Sequence, residues 1–273
     1  MTYSPGRLEA DWLLESLEDW FDDGTLTDVL YKVRAGKEAT VYCCRGGPSV
    51  EERLVAAKVY RPRRFRELTN DAIYREGRGL LDRHGHAIDQ RDTRMARAQR
   101  RGTRHGKRAA EVSWVMHEFV ALDTLFGAGA PVPEPFAVSN RAVLTSFVGD
   151  EEGAAPSMDR LHLDRPEAER LLEVVLGAIE TMLSFGWAHG DLSPYNLLLW
   201  EGQVTVIDLP QVIDVLGNAR GTELFLRDVE RVCDGFARWG AEVDPIERAD
   251  LIWDRVFRSG GVPDTTVPLV AVR

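Results

Sequence analysis

The sequence predicts an α+β chain folded as two lobes around a cleft, the first mostly β and the second mostly α. Three observations carry that reading. Between residues 26 and 60, short apolar runs with partial alternation are broken by glycine-containing turns, the pattern of antiparallel strands. Beyond 164, apolar residues recur instead at helical spacing over long stretches. The 273 residues, 44% of them hydrophobic, are enough to enclose a core of that size.

The first element is a helix over 8–21, where Leu8, Trp12, Leu13, Leu17, Trp20 and Phe21 fall on one face. Asp22, Asp23 and Gly24 end it, and the helix is expected to dock on the lobes. Strands follow over 26–34, 39–44 and 53–60, with turns at 35–38 and 46–48. Residues 61–110 hold Pro62, several glycines and no sustained period, so short helical pieces and a mobile loop are expected there. A helix resumes over 111–127. Pro131, Pro133 and Pro135 punctuate the next turn, and two short strands lie near 134–138 and 141–148.

The small, polar stretch 149–155 marks the lobe boundary. Asp164 and Pro166 then open a long helix to about residue 185, with Gly186 as its stop. Its buried stripe is Leu171, Leu172, Val175, Ile179, Met182 and Leu183. A Glu201-Gly202 turn joins strands over 196–200 and 203–207, and helices fill most of 222–258. The expected division is an N-terminal helix (1–24), a first lobe carrying a basic insert at 61–110 (25–149), and a second lobe (150–273).

Composition removes several classes of function. A net charge of −10 argues against a general nucleic-acid binder. The average conceals an asymmetry, because residues 61–108 carry 15 basic and 6 acidic side chains. No apolar run approaches the roughly 20 residues that cross a bilayer. The N-terminus lacks the basic and apolar regions of a secretory signal, and Cys43, Cys44 and Cys233 form neither a disulfide framework nor a zinc spacing. A cytoplasmic chain is expected. Only four lysines occur, Lys32, Lys37, Lys58 and Lys107, and a compact ammonium suits a phosphate in a tight pocket.

The segment His189-Gly190-Asp191-Leu192-Ser193-Pro194-Tyr195-Asn196 carries the chemistry. Asp208 follows twelve residues later, at the end of the apolar strand Val204-Thr205-Val206-Ile207. Phosphoryl transfer from ATP needs one carboxylate to take or orient the proton of the attacking hydroxyl, which fits Asp191. It also needs a carboxamide and a second carboxylate to hold Mg²⁺, which fits Asn196 and Asp208. In the first lobe, Gly36, Lys37, Glu38 and Val41 belong to a strand–turn–strand suited to cover nucleotide phosphates. Lys58 sits mid-strand among Ala56, Ala57, Val59 and Tyr60, where an unpaired ammonium would be costly. Glu118, on the helix after the insert, is the expected partner.

These motifs together resemble the RIO-type atypical serine/threonine protein kinases, over residues 22–239. Gly36-Lys37-Glu38-Ala39 with Val41 and Tyr42 resembles their nucleotide loop, and Lys58 with Glu118 their ion pair. Ser146, Phe147 and Val148 are similar to the hinge, the 189–196 segment to the catalytic loop, and Ile207-Asp208 with Gln211 to the metal-binding segment. The resemblance implies a bilobal protein-kinase-like fold with a reduced activation segment. It implies ATP and Mg²⁺ as cofactors, Mn²⁺ as a substitute, and an adenine slot lined by Val41, Ala56 and Val148. It further implies autophosphorylation, with Asp208 itself becoming phosphorylated in an ATPase-like cycle. The short N-terminal stretch and the basic insert point to a type-one-like or separate prokaryotic branch without a winged-helix domain. Pro194 stands where a glutamate is usual, and Ser146 where the hinge is usually acidic.

Two other readings are open at this stage. Aminoglycoside and choline kinase relatives carry a similar loop with a proline at the position of Pro194, which would make the chain a small-molecule phosphotransferase. A nucleotide-gated module for ribosomal RNA or a ribosome precursor is the other. The arginine-rich stretch 91–108 would supply that contact through phosphates, or would fold over its own acidic body.

Overall fold

The structure, a computed structural model, describes residues 1–62, 79–82, 84–88 and 103–258. A five-stranded antiparallel sheet organises the first half. Its strands are β1 (Leu26–Ala35), β2 (Ala39–Gly46), β3 (Leu54–Tyr60), β4 (Pro135–Val138) and β5 (Ala142–Ser146), in the order β1-β2-β3-β5-β4. The two faces of this sheet have different partners.

Helix α1 (Arg7–Asp22) covers the outer face. It buries Trp12, Leu13, Leu17 and Trp20 against Val29, Tyr42, Val55, Ala57, Val59 and Leu144. Fully burying each such side chain stabilises by about 1.5–3 kcal/mol relative to exposure, which fixes the helix to this one face. Leu8, expected on the same face, is instead 70% exposed, so the docking seam begins at Trp12 and lies on the first lobe.

The inner face looks toward the cleft. Ala56 and Lys58 alternate along β3 with the buried Val55, Ala57 and Val59, as a strand's two-residue period requires. Helix α2 (Arg104–Gly127) lies on this side. It begins seven residues before the expected 111, inside the basic insert. The Thr103 side chain caps it by accepting from the Gly106 N–H at 3.2 Å. Charged residues hide this first turn from a search for apolar periodicity. Residues 79–88 also depart from an open loop where they are described: Leu81 is buried and bridges to Ala87. The remaining expectation for the insert, including most of 91–108, falls outside the described residues.

The second half is mainly helical. Helix α3 (Arg165–Ser184) is capped by Asp164, which accepts from the Glu167 N–H at 2.9 Å. It is followed by β6 (Trp187–Ala188), the hairpin β7 (Leu197–Trp200) and β8 (Gln203–Val206), and β9 (Ile213–Asp214). Helices α4 (Gly221–Ala237) and α5 (Pro245–Phe257) complete it. The largest apolar core runs without a break from Tyr60, Val115 and Phe119 through Met158 to Leu171, Val206, Phe225 and Ile252. The 149–155 stretch is a tight turn: the Ala155 N–H donates to the Val148 carbonyl at 2.9 Å and Asp150 N–H to the Gly153 carbonyl at 3.0 Å.

Candidate active site

Lys58 is the centre of the cleft. Its Nζ donates to Glu118 Oε1 at 2.5 Å and to Asp208 Oδ1 at 2.6 Å. Glu118, buried on α2, also accepts from the Tyr60 hydroxyl. One ammonium thus ties the sheet, α2 and the segment after β8 together. Burial works against the Lys58 charge, but Asp208 and Glu118 outweigh it and hold its pKa well above the ordinary value. Burial likewise pushes the Asp208 carboxyl up, and the Lys58 ammonium reverses this and leaves it below the carboxylate's ordinary range. Both groups are therefore charged at neutral pH. Nearly half of the Asp208 side-chain surface remains open to the cleft.

Asp208 has φ 71°, in the left-handed region that few side chains other than those of asparagine and aspartate tolerate. The strand leading to it is held from both sides. The Ile207 N–H donates to the Asn196 carbonyl at 3.0 Å, and His189 Nε2 donates to the Ile207 carbonyl at 3.1 Å. His189, fully buried, thus acts as a brace between the 189–196 loop and the Asp208 segment.

Within the loop, Asn196 Nδ2 donates to the Asp191 carbonyl at 3.0 Å. That leaves the Asn196 Oδ1 for a cation. Asp208 keeps its second oxygen beyond the one Lys58 uses. A carboxylate and a carboxamide oxygen are hard donors that suit Mg²⁺, which takes few protein ligands and completes its shell with phosphate oxygens and water. Among the described residues no group of three or more His, Cys, Asp or Glu side chains could hold a metal ion.

Two residues of the site were not singled out from the sequence for any role. Asp228, on α4 and 1% exposed, accepts from the Gly190 N–H at 2.7 Å and the Leu192 N–H at 3.0 Å. It fixes the backbone on both sides of Asp191. Burial raises its pKa even against these donors and His189. The signal was present, since Asp228 interrupts the apolar stripe of Leu224, Phe225, Val229 and Val232. Arg231, one turn further along α4, donates from Nη1 to Asp191 Oδ1 at 2.7 Å. Gly235 lies on the same helix face, where a Cβ would come within 2.2 Å of the Pro194 ring. A glycine there is what allows α4 to approach the loop so closely.

The other expected residues are placed as follows. Val41 and Lys58 are directly paired across β2 and β3, and Ala56 pairs with Thr145 of β5, so this part of the slot is one continuous patch of sheet. Gly36 closes the β1–β2 turn through its N–H to the Ala39 carbonyl at 2.8 Å, with Lys37 exposed at the tip and the Glu38 carbonyl receiving the Arg61 N–H at 2.9 Å. Ser146 is tied to Glu134, donating its N–H to that residue's carbonyl and accepting that residue's N–H on its hydroxyl. Phe147 stacks edge-on to Tyr31 with ring centres 6.5 Å apart.

The RIO domain matches residues 81–248 of the chain. The Rio1 RIO-type serine/threonine-protein kinase of Haloferax volcanii is 30% identical over 239 residues, which is 82% of this chain and 72% of that one. The Rio1 kinase of Thermoplasma acidophilum is 30% identical over 132 residues, 48% of this chain and 68% of that one. Among solved structures, the Rio2 kinase–ADP/Mg²⁺–phosphoaspartate complex of Chaetomium thermophilum matches 95% of this chain and 74% of its own, with a TM-score of 0.59 at 18% identity. At that identity the likeness speaks for the fold: a bilobal, kinase-like α+β architecture.

Proposed function

The chain belongs to the RIO domain family of atypical kinases, and on that premise we propose that Asp191, Asn196 and Asp208 carry ATP-dependent phosphoryl transfer to serine or threonine, with an aspartyl phosphate formed on Asp208. The observation that carries this reading is the single ammonium of Lys58 shared between Glu118 and Asp208 across the cleft. An ammonium so placed has its charge secured and is ready to exchange one carboxylate for the α- and β-phosphates of a nucleotide. The Rio2 structure named above contains a phosphoaspartate, which makes Asp208 the counterpart to test here.

In this reading Gly36, Lys37 and Glu38 cover the phosphates, while Val41, Ala56 and Val148 enclose the adenine and backbone groups of 146–148 bind its edge. Asn196 and Asp208 would hold Mg²⁺, which would supply neutralisation of charge on the phosphates. Mn²⁺, with the same preference for oxygen donors, would substitute. A carboxylate oxygen of Asp208 attacks the γ-phosphorus in line, the bond to the bridging oxygen breaks, and ADP leaves. Asp191 then takes the proton of a water or an acceptor hydroxyl, whose oxygen attacks the phosphorus and returns Asp208 as a free carboxylate. Asp228 and His189 keep the loop in register for both steps.

No helix of the described residues is long and apolar enough to cross a membrane. The free, buried Cys43, Cys44 and Cys233 favour a reducing compartment, and we place the chain in the cytoplasm. The arginines of 91–108 are the segment we would test for contact with ribosomal RNA or a ribosome precursor: deleting them should lower RNA affinity and flatten its salt dependence.

The deciding experiment incubates the full chain with γ-labelled ATP and Mg²⁺, beside Asp208→Asn and Asp191→Ala. Label that hydroxylamine releases, and that Asp208→Asn lacks, is the expected result. Acid-stable label that survives in Asp208→Asn and disappears in Asp191→Ala would remove the aspartyl phosphate and leave direct transfer.

A further inference from the structure

The acceptor side of the cleft carries two guanidinium groups, one from each lobe. Arg231 reaches Asp191 from α4, on the face that also presents Asp228 and Gly235 to the catalytic loop. Arg231 is an exposed residue of α4, and solvent reaches its ion pair with Asp191. Arg34, at the end of β1, lies on the ring of Tyr195 with its guanidinium carbon 3.9 Å from the ring centre. Tyr195 is itself about half exposed and directly precedes Asn196.

Each guanidinium has donors to spare. Arg231 spends Nη1 on Asp191, which leaves the other N–H groups of its planar fork for a second anion in a side chain that is 43% exposed. A guanidinium lying over an aromatic ring can keep N–H donors for an anion, and Arg34 is so placed on Tyr195. The loop between the base and Asn196 adds no cation of its own, since it reads Leu192, Ser193, Pro194 and Tyr195. The segment 209–220 brings one arginine, Arg220, and that is paired with Glu223.

We propose that Arg231 and Arg34 form an anion-reading rim that selects peptide acceptors in which the target serine or threonine is flanked by a carboxylate- or phosphate-bearing residue. This rests on the reading of Asp191 as the base that receives the acceptor hydroxyl. The hydroxyl docks on Asp191, and the flanking anion takes the outward donors of Arg231, with Arg34 closing from the other lobe. The chain as a whole carries −10, so an acidic peptide gains nothing from the long-range field. Selection is therefore short-ranged, made by bidentate contact at the rim.

The test uses the full chain, Mg²⁺ and ATP, and four peptides that differ only in the residues flanking one serine: glutamate, phosphoserine, alanine or arginine. The readout is the ratio of kcat/KM between acidic and basic peptides within each protein variant, so a general loss of activity cancels. The wild type should favour the acidic peptides about five- to tenfold over the arginine peptide, the range of one or two partly exposed ion pairs. Equal rates for glutamate and phosphoserine assign recognition to charge alone, and a higher rate for phosphoserine assigns it to the phosphate. Arg231→Gln and Arg34→Gln should each move the ratio toward one, and Arg231→Glu should invert it. A flat ratio in the wild type, or a wild-type preference unchanged in both glutamine variants, overturns the inference. So does a wild type that hydrolyses ATP yet labels none of the four peptides, an outcome that leaves phosphoryl transfer standing. A wild type that binds ATP and neither hydrolyses it nor labels itself fails the underlying reading, and this one with it.

Discussion

The two faces of the N-terminal sheet carry the same three kinds of side chain: glutamate, tyrosine and lysine. On the outer face, Glu9 accepts from the Tyr42 hydroxyl at 2.6 Å, from the Tyr3 hydroxyl at 3.0 Å and from Lys32 Nζ at 3.3 Å. On the inner face, Glu118 accepts from the Tyr60 hydroxyl and from Lys58 Nζ. In both, a buried tyrosine is pushed well above its ordinary pKa, first by burial and then by the glutamate beside it. The difference lies in where the ammonium leads. Lys32 bonds to one carboxylate and sits partly in solvent, so the outer group is complete in itself. Lys58 has a second carboxylate from the other side of the cleft, and under the proposed function that contact is the one a nucleotide would displace. A Tyr–Glu–Lys group is thus a structural clamp by default, and becomes machinery when its cation is shared with a group that can leave.

That contrast can be broken most severely at Lys58. Lys58→Met should lower ATP turnover by about 10²–10³-fold, the usual cost of one preorganised charge. It should also destabilise the fold by about 3 kcal/mol, because Glu118 is left buried without its cation. Radiometric turnover and chemical denaturation on the same preparation read both.

Glu9→Gln should separate the two faces. Turnover should stay within twofold of the parent, while stability at neutral pH falls by about 1 kcal/mol, a charged hydrogen-bond group discounted for partial exposure. Burial would raise the Glu9 carboxyl, but Tyr42, Tyr3 and Lys32 together hold it below its ordinary 4.5. A carboxylate with a lowered folded-state pKa adds stability above its unfolded value and loses it as pH falls through the folded one. The gap between wild type and Glu9→Gln should therefore narrow below about pH 4.5, and a constant gap would deny the clamp its charge. The mildest change is Tyr42→Phe, which removes one donor to Glu9. It should cost about 1 kcal/mol in thermal or chemical unfolding and leave turnover unchanged.

Much of this arrangement was legible in the chain, and the illegible part has a common cause. The strands, α3 and the hairpin after Asn196 follow from local periodicity and turn residues, which act within a few positions. The spacing of Asp191, Asn196 and Asp208 was readable because one loop and one hairpin hold all three. The Glu9 group, by contrast, joins residues 33 positions apart, and Arg34 meets Tyr195 across the cleft. Such pairs leave no periodic trace. Asp228 is intermediate: a charge inside an apolar stripe marks a buried carboxylate, but not which N–H groups it receives. The early start of α2 was hidden because a cap and a charged first turn, rather than an apolar face, define it.

The left-handed backbone at Asp208 and the ion pair on its carboxylate pull in opposite directions at one residue. Glycine rests in that conformation without strain, so Asp208→Gly would relieve about 1 kcal/mol of backbone cost. It would also take from Lys58 one of its two carboxylates, and a carboxyl held below its ordinary range is one whose charge stabilises the fold. An unusual backbone angle is therefore no guide by itself to where a chain can be made more robust, because the side chain that suffers it can hold a distant element in place.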